Sequence, residues 1–297
     1  MRSNTPFHDE TKYSLRQQGM TGNRSRRRDR VPGARLSFGR VVVATMVSVL
    51  LLGAGNATAA RAPWERVEVI QELLNGAEPQ RDAIQLDLPA VTQDGSSVAV
   101  TVDIESPMTQ DDHVERLYLF ALGNPSPELL EVRFTPLSGR AGISTRIRLD
   151  SSQTVVALAR TSDGDWLADV RDVRVTVSGC LSRDDTYASE DLMQTRVRVP
   201  PNFERGESAE VRTLIQHPME TGLRTDASDR PIPENIVRSF EAHLDGAPVV
   251  TARLHRAIAA NPFLLFHVAP ERSGELSLSW EEDTGDKAQV TAAVRVD

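Results

Sequence analysis

Cys180 is the only cysteine in the 297 residues. A thiolate is a nucleophile and forms reversible covalent bonds to sulfur. Enzymatic use of it needs a base and an orienting group beside it. The neighbours Ser178, Gly179, Leu181, Ser182, Arg183, Asp184 and Asp185 supply no cysteine-protease signature. With one cysteine there is no CxxC, so neither a self-contained thiol–disulfide oxidoreductase nor covalent haem attachment fits. The six histidines are His8, His113, His217, His243, His255 and His267. They form no HxH, HExxH or Cys/His zinc spacing, so no metal site is expected. His217-Pro-Met219 offers imidazole and thioether, which suit copper. No second histidine or cysteine stands near, and a turn histidine after a strand is the simpler reading. P-loop and dinucleotide glycine fingerprints are absent from the sequence, so no cofactor is implied.

The elements that must position this thiol are strands. Val173, Val175 and Val177 alternate with Arg174, Thr176 and Ser178, the period of a half-buried strand. Gly179 then gives the backbone freedom. A polar run without apolar period follows, Ser182 to Asp191. If the strand phase continues, Cys180 falls on the side opposite the valines. The expectation is a displayed thiol, with the alternative that Cys180 is a small buried hydrophobe.

Upstream, Pro63 to Asn75 is expected to be a short helix with Val67, Ile70 and Leu74 on one face and Asn75-Gly76 as its end. Short alternating strands follow over 83–88, 97–104, 114–122, 131–136, 143–149, 154–159 and 166–170. The run 114–122 is more continuously apolar than the others, as suits a central strand. A second series covers 195–200, 207–216, 247–254, 263–268, 274–281 and 288–296, with 231–240 a loop leading into a strand or short helix. Asp94-Gly95 and Asp163-Gly164 mark turns. The pattern is all-β, a β-sandwich in each half. The expected boundaries are a leader at 1–59, a first sandwich at 60–181, a polar linker at 182–194 and a second sandwich at 195–297.

The leader carries ten Lys or Arg against three acids, +7, and the remainder is −15 of a total −8. An acidic mature chain argues against a nucleic-acid partner. Val41 to Leu52 is an uncharged apolar run, short for a membrane span and suited to a signal sequence. Ala57-Thr58-Ala59 fits the A-x-A pattern, with cleavage after Ala59. The expected location is the periplasm, with no membrane attachment after leader removal. A lone cysteine in that oxidising compartment points to an intermolecular bond or a reactive thiol.

The second half resembles SoxZ through Val211-Arg-Thr-Leu-Ile-Gln-His-Pro-Met-Glu-Thr-Gly222, Ile232-Pro-Glu-Asn-Ile236, Ala257-Ile-Ala-Ala-Asn-Pro-Phe263 and Gly274 to Trp280. The first half resembles SoxY through Leu88-Pro89, Ser106-Pro-Met108, Asn124-Pro-Ser-Pro127, Ser144-Thr-Arg-Ile-Arg148 and Val173 to Cys180. Together they cover residues 64–297. The resemblance implies two immunoglobulin-like β-sandwich domains in tandem, fused as in SoxYZ-like carriers associated with quinoprotein dehydrogenases. It implies a sulfur carrier with Cys180 as the covalent attachment point, Gly179 lending the arm freedom, and no catalytic site of its own. In that family a c-type cytochrome complex conjugates thiosulfate to the cysteine and a hydrolase releases sulfate, so these are the implied partners. The SoxY arm ends freely in GGCGG. Here Ser178-Gly-Cys-Leu-Ser182 continues into more chain at both ends, which restricts its reach. That departure admits a different partner, a periplasmic quinoprotein dehydrogenase system. The alternative function is a non-covalent docking module for such a system, and a copper-handling protein is a third.

Overall fold

The computed structural model describes residues 62–177 and 192–297. The expected leader and the expected cleavage point after Ala59, together with Gly179 and Cys180, lie outside the described residues. The chain opens with a 3-10 turn, Pro63–Arg66, and a helix α1, Glu68–Leu74. Eight strands follow in the first half: β1 Ile84–Asp87, β2 Val91–Thr92, β3 Val98–Ile104, β4 Val114–Ala121, β5 Glu128–Phe134, β6 Ala141–Ile147, β7 Gln153–Thr161 and β8 Trp166–Val175. The second half has β9 Thr195–Arg198, β10 Ala209–Ile215, β11 Val237–Leu244, β12 Ala247–Leu254, β13 Phe263–Val268, β14 Gly274–Glu282 and β15 Lys287–Val294.

The all-β expectation holds, with two sheets stacked as sandwiches. One sheet has the order β1-β3-β6-β13-β10-β9, the other β15-β14-β11-β12-β5-β4-β7-β8-β2. Each therefore draws strands from both halves of the sequence. In the larger sheet β5 and β12 pair antiparallel from Leu130↔Leu254 to Phe134↔Val250. In the smaller one β6 meets β13 at Ser144↔Leu265. An unpaired strand edge exposes a row of backbone donors and acceptors. Here each half covers an edge of the other.

Side-chain alternation explains the joint. Leu130, Val132 and Phe134 of β5 and Val250, Ala252 and Leu254 of β12 are all buried, and all belong to one apolar cluster between the sheets. That cluster runs through both halves and includes Leu117, Ile147, Phe240, Phe266 and Trp280. Phe240 packs on Trp280 at 4.4 Å and on Phe266 at 5.5 Å between ring centroids. Aromatic pairs at such separations contribute beyond simple area burial.

The apolar runs of β4 and β7 have a further reason. Val155, Ala157 and Ala159 face the central core, while Phe120, Val156, Leu158 and Ala168 form a second cluster with Trp64, Ile70 and Leu74. The N-terminal segment covers the outer face of the large sheet, so these strands are apolar on both sides. The expected single helix over 63–75 is instead two pieces. Val67 is extended, with φ −110° and ψ 109°, and separates the 3-10 turn from α1. The break lets Trp64 and Ile70 both reach the sheet.

The valine series ends differently from the expectation. Residues 166–175 form one strand, in which Val173 is buried. The strand stops at Val175, and Val177 is 58% exposed. The alternation is lost because β2, the strand beside it, is only Val91–Thr92 long and pairs in parallel at Val91↔Arg174 and Thr92↔Val175. The sequence offered no period for a two-residue strand.

Candidate functional site

The approach to the thiol is built by the end of β8 and the turn after β2. Thr176 donates its backbone N–H to the Thr92 carbonyl at 3.1 Å, and Gly95 donates to the Val177 carbonyl at 2.9 Å. The turn holding Gly95 is closed by Asp94, whose Oδ1 accepts the Ser96 N–H at 2.8 Å. Gly95 in turn gives its carbonyl to the Leu149 N–H at 2.8 Å. The chain is thus pinned to the first half up to Val177, three positions before Cys180. Cys180 and Gly179 themselves lie outside the described residues.

The departing end is pinned as firmly. Met193 donates to the Gln216 carbonyl and Gln216 donates to the Gln194 carbonyl, each at 2.9 Å. Met193 packs against the core although the expected linker reached residue 194. The chain re-enters through the SoxZ-like string at Gln216-His-Pro-Met-Glu-Thr-Gly222.

That string is a folded turn rather than a reactive centre. His217 follows β10 directly and is 1% exposed. Its Nδ1 accepts the Met219 N–H at 3.0 Å, which leaves Nε2 to donate to Glu282 Oε2 at 2.8 Å. Burial holds the imidazole below its ordinary value despite Glu282, so His217 is neutral near pH 7. Burial opposes ionisation of Glu282, yet hydrogen bonds from Thr284, His217 and Asn235 hold its carboxyl below the usual value. Met219 adopts a left-handed φ of 53°, and its sulfur accepts the Val237 N–H at 3.3 Å. Both imidazole nitrogens and the thioether are engaged inside the fold. Among the described residues no group of three or more His, Cys, Asp or Glu is placed to hold a metal.

Arg148 ties this turn to the first half. It is 7% exposed, and its Nη1 donates to the Met219 carbonyl at 2.6 Å and the Arg256 carbonyl at 3.3 Å. Its Nη2 donates to the Pro218 carbonyl at 3.0 Å. Three carbonyls thus converge on one guanidinium. The sequence contained this residue within Ser144-Thr-Arg-Ile-Arg148 but offered no role for it. Its placement in phase with Arg146 was legible, its burial was not.

Beside Arg148 a cleft of about 430 Å³ opens between the halves. Ser96 lines it, next to the Gly95 that holds Val177. Gln216 lines it too, and holds Met193. Both attachments of the cysteine-bearing segment therefore adjoin the same cleft. Trp166 and Trp280, by contrast, are packing residues. Trp280 is fully buried, and Trp166 stacks on Tyr118 at 6.0 Å beneath the N-terminal segment.

With this geometry in view, two family models match the chain. Sulfur oxidation protein SoxY matches residues 70–180, and Sulphur oxidation protein SoxZ matches residues 197–293. Among curated proteins none matches. Among solved structures, the chain is similar to the sulfur carrier protein SoxY from Chlorobium limicola f thiosulfatophilum. The identity is 24% and the TM-score 0.32, over 37% of this chain and 94% of that one. It is also similar to the superoxide reductase (neelaredoxin) from Ignicoccus hospitalis. There the identity is 16% and the TM-score 0.29, over 32% and 80% of the respective chains.

Proposed function

This chain belongs to the SoxY and SoxZ families, joined in tandem on one polypeptide as a sulfur-oxidation carrier, and from that membership we propose that it carries its cargo covalently on Cys180 in the periplasm. The observation that carries the reading is the end of the SoxY match, residue 180, which is the only cysteine of the chain. Covalent connectivity supports it. Residue 180 is three positions from the pinned Val177, a span of at most about 11 Å.

In the proposed cycle the Cys180 thiol loses its proton, and the thiolate joins the outer sulfur of thiosulfate to give Cys–S–S–SO₃⁻. Two electrons leave for a c-type cytochrome partner. Water then cleaves the S–SO₃ bond on a hydrolase, releasing sulfate and two protons and leaving Cys–S–S⁻. The carrier contributes the nucleophile and the presentation, and the partners contribute oxidation and hydrolysis.

A second reading has its own observation. The segment holding Cys180 is hydrogen-bonded into the fold at both ends, at Val177 and at Met193. A chain held at two points enters a deep channel less readily than a free tail. This favours partners with shallow sites, including a quinoprotein dehydrogenase system to which the protein would dock without covalent cargo.

The test is intact mass of the mature protein, purified without reductant from cells grown with and without thiosulfate. Sulfur or thiosulfonate additions that map to Cys180, vanish with reductant and are absent from Cys180→Ser are expected. Full biological function of Cys180→Ser would overturn the covalent reading in favour of the docking module. Cleavage after Ala59 is checked by the same mass.

A further inference from the structure

The cleft between the halves carries an unusual charge. Among the described residues four arginines line it, Arg146 and Arg148 from the first half and Arg196 and Arg224 from the second, against the single carboxylate of Glu220. Glu220 is engaged by Arg224, whose Nε and Nη2 reach its Oε2 at 3.1 and 2.5 Å. Arg148 is likewise engaged within the fold, where it donates to three carbonyls. Among the described residues no carboxylate pairs with Arg146 or Arg196. The protein is acidic as a whole, at −8, so this concentration of cations is a local arrangement.

Positions in the sheets explain how the charges converge. Arg146 stands on β6 in phase with Arg148, two residues on. Its guanidinium carbon lies 5.6 Å from the Phe263 ring centroid. Stacking of that kind orients the plane and leaves the edge N–H donors available. Arg196 is directly opposite Leu214 in the β9–β10 ladder, and both line the cleft. Guanidinium groups recognise tetrahedral oxyanions through paired, charge-assisted hydrogen bonds. Like charges gathered in a partly enclosed space repel, and an anion between them removes that repulsion.

We propose that this inter-half cleft binds a small sulfur oxyanion, the –SO₃⁻ group of a thiosulfate-type cargo or free thiosulfate or sulfate. Arg146 and Arg196 supply the exposed donors. A cleft of about 430 Å³ admits such an anion with its surrounding water. The sulfur identity of the anion rests on the carrier reading, whereas the anion site rests on Arg146 and Arg196 alone.

The experiment is isothermal titration of the full-length Cys180→Ser protein with sodium thiosulfate and with sodium sulfate at low ionic strength. Sodium chloride at matched ionic strength is the control. Saturable one-to-one binding is expected, weakened at least tenfold in Arg146→Gln/Arg196→Gln. Both residues are exposed, so the fold survives the change. Arg198→Gln, on the same strand as Arg196 but outside the cleft, leaves binding unchanged. Heats that follow only ionic strength, or binding indifferent to the double substitution, overturn the site. A second arm separates free anion from bound cargo. Wild-type protein loaded with a thiosulfonate on Cys180 is titrated with sulfate, and an affinity reduced at least tenfold is expected if the cargo occupies the cleft. Unaltered affinity removes the cargo assignment. Sulfate binding in the absence of any cellular Cys180 adduct would leave the site standing and the carrier reading fallen.

Discussion

Arg148 Nη1 donates to the carbonyl of Met219 at 2.6 Å across the joint between the two family-matched halves. The residue is almost wholly buried. It functions as a strap, using its charge to satisfy the carbonyls of Pro218, Met219 and Arg256.

Arg148→Met should therefore destabilise the whole unit. Loss of the fork leaves three carbonyls underpaired, at a cost of about 2–4 kcal/mol for hydrogen bonds to a charged donor. Arg148→Lys should recover little, since an ammonium does not reproduce a planar fork. Urea unfolding reads both. A midpoint unchanged in Arg148→Met would show that the strap is dispensable.

The pH dependence of stability has a definite sign. Burial holds His217, His255 and His267 below the ordinary imidazole value of 6.5. Above that value folded and unfolded forms are both neutral, and the stability is fully present. As pH falls below it the unfolded chain takes up protons first, so stability drops until the folded imidazoles titrate as well. Glu282 is also lowered, from 4.5, so its contribution is lost only at more acidic pH. In His217→Gln the slope of unfolding free energy between roughly pH 5 and 6.5 should be shallower, by up to about 1.4 kcal/mol per pH unit. An identical slope would mean that His217 takes up its proton at the same pH in the folded and unfolded chains.

Gly139 is where the first half bends against the second. Its φ is +64°, and an added Cβ would lie 2.4 Å from the Ala269 Cβ and 3.1 Å from the Ser208 Cβ. Gly139→Ala combines a left-handed backbone with a collision against backbone-proximal atoms, at about 1–3 kcal/mol. A lowered thermal midpoint is expected. Gly246→Ala, with φ +82° and open space around it, isolates the backbone part and should lose less.

The two halves should stay together when the connection is cut. A protease site placed within residues 182–191 and cleaved after folding should leave two chains that co-elute as one species. The β5–β12 ladder, the shared core and Arg148 all cross the joint without using that connection. Separation of the fragments in native buffer would show that the covalent link carries the assembly.

Much of this architecture was legible in the sequence because alternation is a local property. The series Val98, Val100, Val102 and Ile104 alternates in sequence and is buried in β3. The central place of β4 followed from its run from Leu117 to Ala121, a continuous apolar stretch of the first half. The SoxZ-like string was recognisable by its residues alone, and it lies where the halves meet. The helix break at Val67 was not legible, since it depends on the sheet that Trp64 and Ile70 must both reach. Nor was β2, whose two residues contain no period and gain their strand partners only from β8.

The sequence by itself determined that the chain is all-β, that it resembles the two carrier families, and that it holds one cysteine. Each of these is written in residue types and short spacings. Only the tertiary structure decided that the halves share both sheets and one core, that Arg148 is a buried strap, and that Arg146, Arg148, Arg196 and Arg224 line one cleft. Those facts depend on contacts between residues far apart in the chain, such as Arg148 with Met219, 71 positions on. No period encodes them, because sheet pairing at such separations is chosen by which edges and apolar faces can be covered together.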